Sequence, residues 1–473
     1  GSRSPEALAS AHLDRTLQSW EELAGRGAKA VPAALLDMKQ VGAWAAEQVD
    51  ALSQLYAPMR EIIDSDGLSA LFDDIEMPLT AVLSRIERAG VRIDEKLLGQ
   101  LSVEYEASLA GIEKEIFKLA GEEFKVSSPK QLQVILFEKL GLKPSKKTKT
   151  GYSTDESVLQ ELASEHELPG RVLAFRHLSK LKSTYVDALP RLVNERTGRI
   201  HPTLLQTGAA TGRLSCLHPN LQNIPIRTEE GSRIRTAFIP AEGTRLLCAD
   251  YSQVELRILA HYSEDKSLLD AFNNGEDVHR RTAAEVLGVD PEDVTSEDRA
   301  QAKAVNFGIV YGSSAFGLAN QLGIPVYAAQ EYIDSYFERY QGVRRFLDET
   351  LEEAKKKSYV VTLLDRRRYL PDLNSRNRVQ RQAAERMAVN TVVQGTAADL
   401  IKKAMVAVDR RLADEGLSAR VILQVHDELM LEVSEKDEEA VRKLLTDEME
   451  NVWELSVPLS IDIGVGENWR VAH

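Results

Sequence analysis

Residues 421–433 constrain the fold more than any other stretch of this 473-residue chain. Two apolar runs, Val421-Ile422-Leu423-Gln424-Val425 and Leu429-Met430-Leu431-Glu432-Val433, flank His426-Asp427-Glu428. Short apolar runs separated by a polar tripeptide predict a tight β-hairpin whose turn is acidic. A further β-type run, Thr244-Arg245-Leu246-Leu247-Cys248-Ala249, ends abruptly in Asp250. The strands read as buried, so they need a covered sheet, and each delivers an aspartate to its edge.

The rest of the chain reads mainly as helix. Residues up to about 60 look helical and have no sheet of their own, as if a domain had been cut through. From Asp94 to Ala120, Leu97, Leu98, Leu101, Tyr105, Leu109, Ile112, Ile116 and Leu119 recur at helical spacing. Ser127-Ser128-Pro129 opens a short helix to Leu140, with proline suited to a first turn. A lysine-rich loop follows from Gly141 to Gly151, then a helix starting at Ser153-Thr154-Asp155-Glu156 and another over 169–193. Residues 194–262 hold short β runs, and 263–386 return to helix. The fold class is α+β and multidomain, with a small, mostly antiparallel sheet and helical segments inserted on either side. The length alone suggests two to four domains.

Asp250 and Asp427 are oxygen donors of the kind that magnesium prefers, usually as one or two carboxylates beside the substrate's phosphates. Two such ions about 4 Å apart can stabilise both oxygens of an in-line phosphoryl displacement. Aspartate also favours turns, so residue type alone leaves a structural reading open for each.

Thr295 to Asp298 supplies a helix start of the capping-box type. Arg299, Lys303, Phe307 and Tyr311 then follow at steps of four, which keeps them on one slowly rotating stripe. Two cations near a helix N-terminus suit a polyphosphate, and two aromatics beyond them offer faces to a sugar and a base. Gly308 and Gly312 would let a flat ring approach the backbone. The alternative is a surface helix that turns its aromatics into the core.

An apolar fraction of 43% and a charged fraction of 28% belong to a soluble globular chain. No apolar run approaches the roughly 20 residues of a membrane span. Gly1-Ser2-Arg3-Ser4-Pro5 lacks the pattern of a signal peptide and reads as a cloning remnant. Cys216 and Cys248 sit in no metal-ligand spacing, which fits a reducing cytosol. The net charge of -14 argues against a nucleic-acid partner only if charge is evenly spread. It is not: residues 125–149 carry seven lysines against Glu138, and Arg366, Arg367, Arg368, Arg376, Arg378, Arg381 and Arg386 form a second basic run. Either could follow a phosphate backbone, or be a solvated helix face.

At these residues the chain resembles the family A DNA polymerases of the bacterial DNA polymerase I large-fragment type, from about Glu76 to His473. Asp250-Tyr251-Ser252-Gln253-Val254-Glu255-Leu256-Arg257, Arg299 through Gly312, and Val425-His426-Asp427-Glu428 look like its three motifs. Thr211-Gly212-Arg213-Leu214-Ser215 and Asn220-Leu221-Gln222-Asn223-Ile224-Pro225 match stretches that contact primer-template. The resemblance implies a right-hand fold: palm 61–91, 191–262 and 387–473, thumb 92–190, fingers 263–386. It implies a template-directed enzyme that adds dNTPs to a primer 3′ end and releases pyrophosphate. Asp250, Asp427 and the Tyr251 backbone carbonyl would hold two Mg2+ ions (or Mn2+), with Glu428 a supporting acid. Arg299 and Lys303, assisted by His279, would hold the triphosphate, and Lys303 would protonate the leaving group. Tyr311 would sit near the templating base, and Glu255 would exclude a ribose 2′-hydroxyl. Phe307 would disfavour dideoxynucleotides, standing where some relatives carry tyrosine. Arg213, Arg386, Asn390, Gln394 and His426 would touch the primer-template duplex, largely from the minor groove. A monomer working in the bacterial cytoplasm, associated with the nucleoid, is expected.

Residues 1–60 depart from the pattern. They resemble the tail of a 3′–5′ exonuclease domain, but Trp44 and Gln48 stand where a tyrosine and a metal-binding aspartate are expected. Gln48 cannot be an anionic ligand, so no proofreading is expected, and no 5′-nuclease segment is read. Three rivals remain: a single-subunit RNA polymerase, against which Glu255 speaks; a silent nucleic-acid-binding protein, against which Asp250, Asp427, Arg299 and Lys303 speak; and a metal-dependent nuclease, disfavoured by the stripe and by Gln48.

Overall fold

The computed structural model describes residues 4–148, 151–226, 228–310 and 312–473. The chain divides into two compact units, Gly1–Met77 with Leu364–Arg366, and Pro78–Leu363 with Arg367–His473. In the first, the expected helices form over Pro5–Leu13, Trp20–Ala24 and Met38–Ser65. Ser19 and Glu22 build a capping box at the second, and Asp37 caps the third. Trp44 Nε1 and Gln48 Nε2 both donate to the Gln18 carbonyl, at 2.9 and 3.0 Å, and Trp44 packs edge-on against Trp20. These two side chains tie a loop to the long helix here. Arg366, from the second basic run, hydrogen-bonds Glu76 in this unit.

The second unit is built round a four-stranded antiparallel sheet. We label β1 Thr244–Tyr251, α1 Val278–Leu287, α2 Ser296–Val310, α3 Arg378–Asp414, β2 Ala419–Val425, β3 Glu428–Ser434 and β4 Ile461–Gly466. Strand order is β2-β3-β1-β4. The expected hairpin is β2–β3, in register Val425↔Glu428, so its loop is His426-Asp427 and Glu428 already belongs to β3. His426 takes the left-handed φ of +53° that such tight loops require at one position. Likewise β1 does not stop at Ala249. It runs through Asp250 to Tyr251, because β3 pairs with it on one edge and β4 on the other. Leu246, Leu247, Cys248 and Ala249 are all buried, as a central strand covered on both faces requires.

The long amphipathic helix forms over Glu95–Ala120, capped by Asp94 and closed by Gly121 at φ +77°. It buries Leu98, Leu101, Tyr105 and Ile116, the last within a core shared with Leu132, Ile135, Leu159 and Val172. Pro129–Gln133 and the π-helical Val134–Lys139 make the short helix expected before Leu140. The lysine-rich loop carries a small hairpin, Lys147–Thr148 with Gly151–Tyr152. Two cations of the basic segment 125–149 are paired, Lys139 with Glu122 and the loop's Lys146 with Asp155. The helix expected from Pro169 starts earlier, at Glu167, where His166 caps it, and changes at Leu181 into a π turn over Lys182–Val186.

Candidate active site

Beyond β1 the chain turns sharply through Ser252 and Gln253, the latter at φ +54°, into the helix Val254–Ser263. That turn places Glu255 in the first turn of the helix, where the dipole favours an anion. Glu255 is 5% exposed, and Arg213 Nη2 donates to it at 2.7 Å. The same guanidinium lies 3.9 Å from Asp427. Arg213 thus bridges the acid beyond β1 and the acid of the hairpin turn. The Tyr251 amide donates to the Asp427 carbonyl at 3.3 Å, which ties the turn directly to the end of β1.

Asp250 stands between two further acids. Glu428 is its cross-strand partner on β3 and Asp462 its partner on β4, and directly paired residues share a sheet face. Burial, then Glu428, then Asp427 push the Asp250 carboxyl up to about 7. Partial burial also raises Asp427, against the pull of Arg213. Burial opposes ionisation of Glu428 too, but hydrogen bonding wins there and holds it below its ordinary value. Its oxygens meet His473 Nδ1 and Trp469 Nε1, each at 3.1 Å. Carboxylates this crowded repel one another, which is the condition a divalent cation relieves.

Helix α2 begins as expected. Thr295 Oγ1 accepts from the Asp298 amide at 3.1 Å, and Asp298 accepts in return from the Thr295 amide at 3.0 Å. Ala302, Val305 and Asn306 are fully buried on one face, which leaves Arg299, Lys303 and Phe307 on another. Arg299 Nε donates to Asp277 at 2.6 Å, and Asp277 also caps α1. His279, 2% exposed, is pushed down to about 4, by burial before any charge. Asn306 Nδ2 lies 3.1 Å from its Nδ1. An amide nitrogen only donates, so Nδ1 accepts and Nε2 carries the proton.

These residues surround one cavity of about 460 Å3, which Arg213, Tyr251, Glu255, His279, Arg299, Lys303, Phe307, His426 and Asp427 line. Asp250 and Glu428, paired on β1 and β3, are not among its lining residues, although Tyr251 and Asp427 beside them in the chain are. Tyr311 falls outside the described residues. The helix ends at Val310, and Gly312 lies past it at φ +64°. A Cβ at Gly312 would come within 3.0 Å of Arg386 Cγ, so this glycine makes room for an arginine. Arg386 lines a different cavity, with Ile309, Gly312 and Phe337. Asn390 and Gln394 lie on α3, and the Asn390 Oδ1 is buried with no hydrogen-bond partner among the described residues. The helix backbone at Gly395 abuts the Thr211 carbonyl, 3.1 Å from where a Cβ would be.

Sequence reasoning missed Asp462, Asp277 and Asn306. Ile461-Asp462-Ile463 carries the alternation of a half-buried strand, and Asp277 precedes Val278-His279-Arg280 as an N-cap would. Nothing local marks Asn306 as the partner of His279. Among the described residues no group of three or more His, Cys, Asp or Glu is arranged as a metal cage. A site of one or two carboxylates completed by substrate oxygens needs none.

The model of DNA polymerase family A matches residues 95–471. DNA polymerase I of Pseudomonas aeruginosa is 50% identical over 471 residues, covering 99% of this chain and 52% of that protein. DNA polymerase I of Geobacillus stearothermophilus is 46% identical, covering 98% of this chain and 53% of that protein. The chain therefore spans about half the length of these curated relatives. The solved POL domain of Pol1 from M. smegmatis, in complex with DNA primer-template and dNTP, superposes with a TM-score of 0.90. It is 41% identical, and the match covers 100% of this chain and 79% of that one. The α+β architecture with its antiparallel sheet is thus that of a right-hand polymerase domain, and the chain belongs to DNA polymerase family A.

Proposed function

We propose that the chain is a template-directed DNA polymerase that adds dNTPs to a primer 3′ end by two-metal phosphoryl transfer and releases pyrophosphate. One observation carries this reading: a single cavity gathers Arg299, Lys303 and Phe307 of α2 with Asp427 of the hairpin and Tyr251, the residue that follows Asp250. The repulsion among Asp250, Asp427 and Glu428 supports a cation there. Asp250 and Asp427, with the Tyr251 backbone carbonyl, would hold Mg2+, with Mn2+ as an alternative. Such ions, when bound, stabilise charge on the attacking and leaving oxygens.

The chain's own residues do the rest. Arg299, oriented by Asp277, and Lys303 bind the triphosphate, and the Nε2–H of the neutral His279 donates to it. Lys303 gives a proton to the departing pyrophosphate as charge builds there. Glu255, held by Arg213, excludes a ribose 2′-hydroxyl, and Phe307 packs on the sugar. Arg213, Arg386, Asn390, Gln394 and His426 contact the duplex, and Tyr311 sits near the templating base. In this reading 61–91, 191–262 and 387–473 are palm, 92–190 thumb and 263–386 fingers. Residues 1–60 are exonuclease-like, and with Gln48 in place of a metal-binding aspartate this segment supplies no proofreading. The protein works as a monomer in the bacterial cytoplasm, at the nucleoid.

The test is extension of a labelled primer on a DNA template with Mg2+, comparing dNTPs with rNTPs and including a lane without nucleotide. Template-matched extension with dNTPs and a stable primer otherwise are expected. Asp427→Asn should abolish extension and leave duplex binding intact; surviving extension would remove Asp427 from the metal site.

A further inference from the structure

At the end of the β2–β3 hairpin away from its acidic turn lies a second cavity, of about 730 Å3. Its lining comes from the last turns of the helix Met77–Ala89 and of α3, and from the first residues of β2. The seven residues of β2 run from Ala419 to the turn, so the cavity is roughly 20 Å from Asp427. Apolar side chains such as Leu412 and Val421 line it beside Arg85, Arg88, Arg410 and Arg420.

The charges here do not cancel. Arg85 makes a two-pronged pair with Asp409, at 2.9 and 2.5 Å. Arg420 makes another with Glu432, at 3.0 and 2.7 Å. Glu432 is already neutralised by the buried Arg199, whose Nη2 lies 2.6 Å away. Among the described residues Arg88 and Arg410 have no carboxylate in ion-pair range; of the two acids in the lining, Asp409 is taken by Arg85, which leaves Asp414. A basic surplus therefore collects in one concave place on a chain of net charge -14. A helix C-terminus attracts a cation, which accounts for Arg88, whose Nε donates to the Ser84 carbonyl. It does not account for Arg420 on a strand, or for the apolar lining.

We propose that this cavity is a second nucleotide site, which takes a nucleoside diphosphate without divalent metal. Guanidinium forks match phosphate oxygens in pairs and also stack on flat rings. Arg88 and Arg410 hold the phosphates, and the base lies on the apolar lining. The volume lies in the range of small-molecule sites, roughly 300–1,000 Å3.

Fluorescent methylanthraniloyl-ADP, titrated with EDTA present, tests this in the wild-type chain, Arg88→Ala/Arg410→Ala and Lys303→Ala. Saturable binding should weaken about tenfold or more in the double variant and stay unchanged in Lys303→Ala. Both arginines are exposed, so the double variant should keep the wild-type melting temperature and primer extension. Should it melt earlier, saturation-transfer NMR on the wild type decides, with contacts expected between adenine protons and Leu412 and Val421 methyls. Absence of saturable binding, equal affinity in all three proteins, or loss in Lys303→Ala instead would overturn the proposal. So would competition by a dT oligonucleotide but not by ADP, which would make the cleft a strand-binding surface.

Discussion

Glu255 is buried and Arg213, half-buried at the cavity wall, is its hydrogen-bond partner. Truncating one side of such a pair leaves the other buried and uncompensated, which usually costs more than the pair contributes. Glu255→Gln keeps a hydrogen-bond acceptor for Arg213, whereas Glu255→Ala does not. The proposed gate therefore predicts that Glu255→Ala incorporates ribonucleotides far more readily relative to deoxynucleotides, with Glu255→Gln intermediate. Single-turnover incorporation of each sugar would show it, and unchanged discrimination in both variants would count against the gate. His279 gives a second prediction. Its imidazole is held near 4 by burial, against about 6.5 in an unfolded chain. Between those values the unfolded chain binds more protons, so folding stability falls as pH drops from about 6.5 to about 4 and levels off below. NMR titration should show a neutral, Nε2-protonated ring at pH 6. A midpoint close to 6.5 would mean a solvated ring.

At the level of elements, the sequence was legible wherever the signal is local. The β2–β3 hairpin, the helix Glu95–Ala120 and the capping box at Thr295 follow from periodicity and cap chemistry, and all three form. What could not be read depends on partners distant in the chain. β1 extends through Asp250 because of pairing with β3 and β4, and those pairings also bring Glu428 and Asp462 beside it. The π turns at Leu71–Glu76, Val134–Lys139 and Lys182–Val186 carry no residue pattern that distinguishes them from ordinary helix. In the site, the stripe of Arg299, Lys303 and Phe307 was legible from spacing. Its counterions and supports, Asp277 and Asn306, were not, because each contact spans 22 to 27 residues. Thr295→Ala should cost about 1 kcal/mol. It should also speed amide exchange in the first turn of α2, while the first turn of Arg378–Asp414, capped separately by Asn377, exchanges as before.

Over the whole molecule, the proposed grip on DNA by a chain of net charge -14 requires its basic segments to carry the contact. Primer-template affinity should then fall linearly with the logarithm of salt concentration. Replacing Lys130, Lys143 or Lys147 by alanine should each lower that slope by up to about 1, because one phosphate fewer is neutralised. Lys139 and Lys146, already paired with Glu122 and Asp155, should matter less. Equal slopes for all five variants would show that the lysine segment does not face the duplex.

The two-residue loop between β2 and β3 also bears on how such genes can change length. A shift of one residue turns every side chain of a strand to the opposite face. One extra codon between those for Val425 and Glu428 would therefore move Asp427 away from Tyr251 or turn Glu428 away from Asp250. Lineages descending from this chain should accumulate small in-frame insertions and deletions around residues 141–146, and show almost none across 425–428.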